Sequence, residues 1–385
     1  MRIYLDNNAT TPIHPAVLDS VVRAMRDGWG NASSVHREGQ AARRALEEAR
    51  ERLAGLLGCE PREVVFTSGG SESNNAAIFG LVPPGRLSHI VTTSIEHPSA
   101  LEPVRALERR GCAVTYVGCD ARGVVAAEAV IAALRPDTAL VVMMLAHNET
   151  GAIQPVAGVA AVCRERGISF HCDAVQAAGR IPLDAVRDAG TVAVSAHKMH
   201  GPKGIGALRV RKGVVLEPLV VGGAQERRRR AGTENVPLAV GFGAAAVLAA
   251  EADPGEVRAL RDRFEELVTG RVPDVRVLAA EAPRIPNTAN LLLGGSDAEA
   301  VVIGADLRGL AISTGSACSS GRVEPSRVLI EMGLSEEDAR SSVRVSFGRL
   351  NTAGEVERAA GILAEVVEAG RRTAPRALSG GEGGD

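Results

Sequence analysis

Aromatic side chains are nearly missing from this 385-residue chain: one Trp, two Tyr and six Phe amount to 2% of it. Apolar residues still make up 45%, so the large core that this length requires must be built of Ala, Val and Leu. Length alone admits two or three domains. No charge of one sign dominates. The formal net charge is −2, which argues against a broad nucleic-acid or anionic-membrane surface. No apolar run is long and uninterrupted enough to span a bilayer, and the opening residues MRIYLDNNATTP lack a basic stretch followed by an apolar one. The expectation is a soluble cytoplasmic protein with no membrane contact and no direct nucleic-acid partner. The six cysteines (59, 112, 119, 163, 172 and 318) contain no Cys-x-x-Cys pair, so they read as reduced thiols and exclude a disulfide framework. No metal site is expected, since His147 and the His171-Cys172 pair lack ligand spacing.

Lysine is scarce as well. Of 44 basic residues only Lys198, Lys203 and Lys212 are lysines, all within 15 residues; the other 41 are arginine. Arginine cannot give up its proton at working pH, whereas lysine can serve as a nucleophilic amine. Lysine kept in SAHKMHGPKGIG (195–206) therefore suggests a position that needs amine chemistry, with one of the three as the catalytic group.

From about residue 62 to 210, short β-branched runs alternate with helical stretches: REVVFTS, SESNNAAIFGLV, LSHIVTTSIEH, SALEPVRALERRG, AVTYVG, AEAVIAALR, TALVVMMLAHNE, VAGVAAVCRERG, ISFHCDAV, TVAVSAHK and GIGALRV. Continuous apolar strands between amphipathic helices predict a mostly parallel sheet covered on both faces, with ligands gathered at the carboxyl ends of its strands. Beyond Asp253-Pro254 the texture changes. The helical EVRALRDRFEELVTGR leads to DVRVLAA, NTANLLLGG, a helix near 297–309, AISTGSACSS, SSVRVSFG and a last helix near 354–371, the pattern of a smaller α+β domain. The predicted division is 15–252 for the large domain, 1–14 with 253–375 for the small one, and a Gly-rich disordered tail at 376–385.

Five strand ends in the first domain carry polar groups. Thr67-Ser-Gly-Gly-Ser71 opens a helix and offers free N–H groups to a phosphate. His97 follows the next strand, then Asn148, then Asp173 with Gln176 three residues on, then His197 and Lys198. Each has an ordinary structural reading alone. Together, a phosphate seat, an imidazole, an amide, a carboxylate and an amine on one sheet edge match pyridoxal 5′-phosphate: lysine holds its aldehyde, the carboxylate keeps its ring nitrogen protonated, and a flat side chain stacks on the ring. In SSVRVSFG, Val343, Val345 and Phe347 alternate with Arg344 and Ser346, so one face packs while the other presents a guanidinium fork suited to an α-carboxylate. Cys318 lies among Ser, Gly and Ala in STGSACSSG, where an apolar pocket does not shield its thiolate. The run Glu226-Arg-Arg-Arg-Arg230 reads as a solvated or subunit-facing loop.

With YLDNNATTP, NASSVH, SGGSESNN, EHPS, HNETGAIQP, HCDAVQ, SAHKMHGPKGIG, RAGTENV, STGSACSS and VRVSFGR in this order over residues 3–372, the sequence resembles the cysteine desulfurases of the NifS/IscS type. These are class V aminotransferase-like enzymes with the fold of type I pyridoxal phosphate enzymes. The form of the Cys318 loop resembles the IscS/NifS branch more than the SufS branch. The resemblance implies an α/β fold with a mostly parallel seven-stranded sheet between helices and a smaller α+β domain carrying Cys318. It implies that Lys198 bonds the cofactor and moves the Cα proton, that Asp173 pairs with the pyridinium nitrogen, that Gln176 meets the ring hydroxyl, and that His97 is catalytic, stacking on the ring and acting as an acid or base. Gly70, Ser71, Ser195 and His197 would hold the phosphate, and Thr233 would reach the phosphate of the neighbouring subunit of a homodimer. Asn148 and Arg344 would take the carboxylate of L-cysteine, with Asn31 and His36 nearby. The implied reaction gives L-alanine and a Cys318 persulfide, whose sulfur goes to an iron–sulfur scaffold or to tRNA or cofactor thiolation. Rival readings are a selenocysteine lyase or an aminotransferase of the same class, the latter needing no Cys318, and a sulfur-delivery partner whose main role is docking a scaffold.

Overall fold

The computed structural model describes residues 2–82, 85, 88–314 and 325–373. Cys318 and the glycine-rich tail lie outside the described residues. The chain starts with β1 (Ile3–Tyr4), α1 (Pro15–Asp27) and α2 (Arg37–Leu57). The alternating region then gives β2 (Val64–Thr67), α3 (Gly70–Leu81), β3 (His89–Thr93), α4 (Pro98–Arg109), β4 (Ala113–Val117), α5 (Ala127–Ala132), β5 (Thr138–Val142), α6 (Val156–Glu165), β6 (Ser169–Asp173), β7 (Thr191–Ser195) and β8 (Gly206–Val210). These strands form one seven-stranded sheet ordered β2-β8-β7-β6-β5-β3-β4, in which only β8 runs antiparallel to its neighbours. Helices on both faces bury the central strands fully, which is why those strands are continuous in Val, Ala, Leu and Met and do not alternate. Edge strand β4 has no buried residue.

α2 presents Ala42, Leu46, Ala49 and Leu53 at helical spacing and lays this stripe against α7 (Val236–Glu251). The two backbones come so close that a Cβ on Gly243 would stand 2.8 Å from Ala49 Cα.

The rest of the chain builds a second core from α8 (Pro254–Arg271), β9 (Val275–Val277), β10 (Thr288–Leu293), α9 (Ala298–Leu307), β11 (Leu310–Ala311), α10 (Arg327–Glu331), α11 (Glu336–Arg340), β12 (Ser342–Ser346) and α12 (Ala353–Thr373). β12, β10 and β9 form an antiparallel sheet, and Val343, Val345 and Phe347 pack into this core with Phe264, whose ring meets that of Phe347 edge-on at 5.5 Å between centroids. β1 pairs with β11, which places Ile3 and Leu5 in the same core. Residues 6–14 then leave it and run along the large domain: Thr11 N donates to His197 O (2.9 Å) and His14 N to His200 O (3.0 Å).

The expectation of a solvated loop at 226–230 fails at its first residue. Glu226 is buried and meets the guanidinium of Arg50 in a fork, at 2.7 and 2.9 Å, while also accepting from Phe66 N (3.1 Å). Its cost is visible in the backbone: Glu226, Arg227 and Arg228 all have positive φ (45°, 56° and 64°), a conformation worth about 1–2 kcal/mol per residue for side chains with a Cβ. The ion pair holds that turn and clamps α2 to β2. Glu226→Ala leaves the Arg50 charge buried and unpaired, and is expected to lower unfolding free energy by about 3–5 kcal/mol. Replacing both members with apolar residues of similar volume should cost clearly less. Urea denaturation of the three proteins checks this, and equal losses in single and double variants would count against the clamp.

Candidate active site

At the carboxyl ends of β2, β3, β5, β6 and β7 a cavity of about 250 Å³ is lined by Gly70, Ser71, His97, Ser99, Met144, Ala146, Asn148, Asp173, Val175, Gln176, Ser195, His197 and Lys198. The five strand ends singled out from the sequence thus converge on one space. Asn31, His36, Thr233 and Arg344 do not line it.

Lys198 follows β7 on a single turn of 3-10 helix. Its Nζ donates to Asn8 O (2.6 Å) and Ala9 O (2.8 Å), so the N-terminal segment aims the amine. Desolvation, followed by the nearby Arg180 and Arg344 guanidiniums, pushes its pKa down to about 7, more than Asp173 and Asp6 restore. Arg180 itself is partly buried and has no carboxylate partner among the described residues. It donates to the carbonyls of Lys198 (3.3 Å), Asn7 (3.2 Å) and Gln176 (3.0 Å), and to Gln176 Oε1. Gln176 Oε1 thus already accepts from Arg180, and one of its two amide protons is on Asn8 O (3.0 Å), which leaves the other for the cavity.

Asp173 ends β6. Its Oδ1 accepts from Val175 N (2.9 Å) and its Oδ2 from Asn74 Nδ2 (2.8 Å). His97 caps the N-terminus of α4, its Nδ1 accepting from Ser99 N at 3.1 Å, and burial lowers its pKa. His197 contacts Thr10 Oγ1 (3.1 Å), and burial together with Lys198, Lys203 and Arg180 lowers its pKa to about 4, so it is neutral at pH 7.

The other end of the cavity is an anion seat. α3 starts at Gly70 with no side-chain cap, so its first N–H groups and the positive end of its dipole face the space. Ser195 Oγ is buried there without a hydrogen-bond partner among the described residues. At Gly70 a Cβ would come within 2.8 Å of Val175 Cγ2, so a larger residue could not hold this approach.

Arg344 sits behind the cavity wall. Its Nη2 pairs with Asp6 Oδ1 (2.8 Å) and its Nη1 donates to Asn148 O (3.1 Å), while Nε has no partner among the described residues. The free fork expected from the alternation is therefore already half engaged. Asn31 and His36 are exposed: Asn31 Oδ1 accepts from Ser33 N (2.8 Å), and His36 caps α2. Thr233 is exposed too. His147 is a buried turn residue whose Nδ1 accepts from Glu149 N (3.2 Å). Asn8, Asn74 and Arg180 were missed from the sequence. Only Asn74 left a signal there, four residues from Gly70 and three from Ser71, hence on the same face of α3.

The family described as aminotransferase class-V matches residues 3–359. Over 379 residues the chain is 43% identical to a protein named cysteine desulfurase from Trichormus azollae, covering 97% of this chain and 94% of that one. Over 378 residues it is 39% identical to cysteine desulfurase IscS of Methanosarcina thermophila, covering 97% and 94%. Among solved structures, a NifS-like protein superposes with a TM-score of 0.89 at 34% identity, covering 96% of this chain and 100% of the other. A structure described as SspA in complex with cysteine superposes with 0.82 at 36% identity, covering 91% and 100%.

Acylation of the cofactor-free protein by an amine-selective reagent, followed by peptide mass spectrometry, should label Lys198 with a midpoint near pH 7. Labelling that rises only toward about pH 10.4, as for a solvated lysine, would show that the amine is not depressed.

Proposed function

The chain belongs to the aminotransferase class-V family and, within it, to the cysteine desulfurases, and on that footing we propose how its cavity divides the work. The observation that carries the proposal is the pairing, in one cavity, of a desolvated amine with an anion seat that holds an orphaned hydroxyl.

The residues fit pyridoxal 5′-phosphate, the cofactor of the family. The uncapped start of α3 at Gly70 and Ser71, with Ser195 Oγ and His197, would hold its phosphate. Asp173 would hold the ring-nitrogen proton, Gln176 would give an N–H to the ring hydroxyl, and His97 would cover one ring face. When bound, the cofactor supplies an electron-withdrawing ring that accepts the electron pair left on Cα when the substrate proton departs. Lys198 Nζ, whose pKa is pushed down to about 7, is the group that would hold the cofactor aldehyde and carry the Cα proton. Its two carbonyl partners, Asn8 and Ala9, accept only from a donor, so they keep the amine aimed whichever protonation state it holds. Asn148 and Arg344 would take the carboxylate of L-cysteine. For Arg344 this means sharing its guanidinium with Asp6.

Sulfur leaves by transfer to a second nucleophile, Cys318. Its Sγ forms an S–S bond with the substrate sulfur as the Cβ–S bond breaks. Two protons complete L-alanine, and the sulfur stays as a Cys318 persulfide, so no external oxidant or reductant enters. Two observations support the choice of Cys318. Burial pushes the thiols of Cys59 and Cys119 up to about 11, that of Cys163 to about 12, and that of Cys172 well above its usual value, so these four are inert near neutrality. The chain also enters residues 315–324 from Ser313, bonded on both sides to Arg344 (2.7 and 3.1 Å), and leaves them at Ser326, bonded to Glu149 beside Asn148. The persulfide is then handed to an acceptor, for which an iron–sulfur scaffold or a thiolation protein has the right chemistry. Cytoplasmic location fits reduced thiols and such acceptors.

A homodimer would account for the residues left outside the cavity. Ser33 and Glu234 line one surface depression, so the segments carrying Asn31, His36 and Thr233 lie side by side on the outside of the chain. The exposed apolar residues Leu18, Val22 and Met25 on α1, with Trp29 just beyond it, also call for a cover.

The purified protein loaded with pyridoxal phosphate should absorb visible light and convert L-cysteine, with a thiol reductant, to equal amounts of sulfide and alanine. Cys318→Ser should keep the absorbance and lose sulfide production at least about a hundred-fold, as expected for a removed nucleophile. Retained desulfuration in that variant would sink the mechanism. Lys198→Ala should lose both signals. Thr233→Ala should weaken cofactor binding although Thr233 is outside its own cavity; unchanged binding would remove it from any shared site.

A further inference from the structure

Asn74 is fully buried on α3, makes no direct contribution to the lining of the cavity, and yet touches both flanks of it. Its Nδ2 donates to Asp173 Oδ2 (2.8 Å) and to Ser99 Oγ (2.8 Å), and its Oδ1 lies 3.0 Å from His171 Nε2. His171, also fully buried, closes the chain at Thr191 Oγ1 (2.9 Å).

The direction of every bond in this chain can be worked out. A carboxyl oxygen of Asp173 calls for a donor, which turns the amide NH₂ of Asn74 toward it and leaves Oδ1 for His171. His171 must then carry its proton on Nε2, consistent with the burial that pushes its pKa down to about 4 and keeps it neutral. The second amide proton goes to Ser99 Oγ, which becomes an acceptor and sends its own proton onward. The only ring nitrogen it meets is His97 Nδ1, at 2.7 Å, which already takes the backbone N–H of Ser99 at 3.1 Å. Two donors on Nδ1 leave it without a proton. His97 therefore holds its proton on Nε2.

We propose that Asn74 is a positioning residue of the desulfurase site: one buried amide fixes the carboxyl of Asp173 and, through Ser99, the Nε2–H form of His97. The inference rests on the cofactor reading of the cavity. Asp173 would meet the ring nitrogen and His97 the ring face, so a single side chain sets the relation between the group that keeps the ring electron-poor and the group that covers it. His97 then begins turnover as a hydrogen-bond donor, and the base in the site is Lys198. Groups from other elements also face His97: Asp173 from β6, Lys198 beyond β7, and Glu149 and His147 from the turn after β5. Asp173 and Glu149 favour the charged imidazole and Lys198 opposes it. The Ser99 donors act on top of these, because when Nδ1 takes a proton the backbone N–H bond is lost and the hydroxyl must turn from donor to acceptor.

The test uses full-length protein labelled with ¹⁵N-histidine, with and without pyridoxal phosphate. Long-range ¹H–¹⁵N correlations should show His97 Nδ1 bare and Nε2 protonated. Ser99→Ala, a partly exposed site that leaves the fold intact, should raise the pH midpoint of His97 by about one unit, the loss of one donor that only the neutral ring can accept. Asn74→Leu keeps the volume without the amide, and should raise that midpoint too while raising the cofactor Kd about ten-fold or more. Wild-type protein that binds no cofactor would overturn the cofactor reading itself. Wild-type protein that binds it, with His97 titrating unchanged in Ser99→Ala or with Asn74→Leu binding cofactor as tightly as wild type, would overturn the role of Asn74 and leave that reading standing. If Asn74→Leu fails to fold, Ser99→Ala decides.

Discussion

The lysine amine has no carboxylate against it, and the rest of the site follows from that. A buried ammonium is tolerated only if something replaces water around it. Here the replacements are two main-chain carbonyls, of Asn8 and Ala9, while the nearest full charges include two arginines of the same sign. Carbonyl dipoles orient the amine without holding its proton as a carboxylate would, and the arginines tip the balance toward the free base. Those carbonyls are fixed in turn. Asn8 Nδ2 donates to Thr288 Oγ1 (2.8 Å) and to Asn148 O (3.0 Å), and Asn7 Nδ2 donates to Ser346 O (2.8 Å). Lys198 belongs to the large core, but its aim is set by a segment whose preceding residues, Ile3 and Leu5, are held in the second core. Motion of one core against the other therefore displaces the partners of the amine. The two cores cannot be treated as a catalytic part and an accessory.

A parallel sheet buried on both faces has nowhere to put polar side chains except at its strand ends. β5 shows this constraint in order: Leu140, Val141 and Val142 are fully buried, and polarity returns only at His147 and Asn148, after the strand has stopped. β6 departs from it, carrying His171 and Asp173 within the strand. Two polar side chains in so dry a place need partners from a neighbouring layer, and α3 is the layer that supplies one. The helix is positioned by its glycine start, which also forms the anion seat. Placing Gly70 against Val175 and placing Asn74 between His171 and Asp173 are one packing event, four residues apart on a single helix face.

What could be read from the sequence was what the backbone period controls. Apolar runs ending in His97, Asn148, Asp173 and Lys198 were legible because each strand end is defined locally, and the convergence of those ends follows from the parallel sheet. Helices α1, α2 and α7 went unassigned. α7 is apolar on almost every side and so has no amphipathic period to detect, although α2 shows a regular stripe of Ala42, Leu46, Ala49 and Leu53. The partners that act over long sequence distances were illegible. Nothing local says that Asn8 reaches Lys198 190 residues away, or that Glu226 is the counter-ion of Arg50 176 residues before it. Four successive arginines after Glu226 suggested a solvated run, and the structure shows that charge density alone does not reveal which charge is buried. Arg344 gave the reverse error: alternation correctly put it opposite the packed valines, but could not show that Asp6 already occupies that face.

The same physics separates the amine from the thiol. Desolvation moves a lysine toward its reactive form and a cysteine away from it, because one is neutral when nucleophilic and the other is charged. A single dry cavity cannot activate both. The buried thiols show the second half of this rule, with Cys172 adjoining Asp173 and held away from its thiolate by burial and by the carboxyls of Asp173 and Glu96. A cysteine placed on β6 or on the cavity floor would be inert for the same reason that Lys198 is active. An enzyme that needs a free amine and a thiolate in one turnover must therefore bring its sulfur acceptor from a segment outside the sheet. The small-residue stretch between Ser313 and Ser326 is entered beside Arg344 and left beside Glu149.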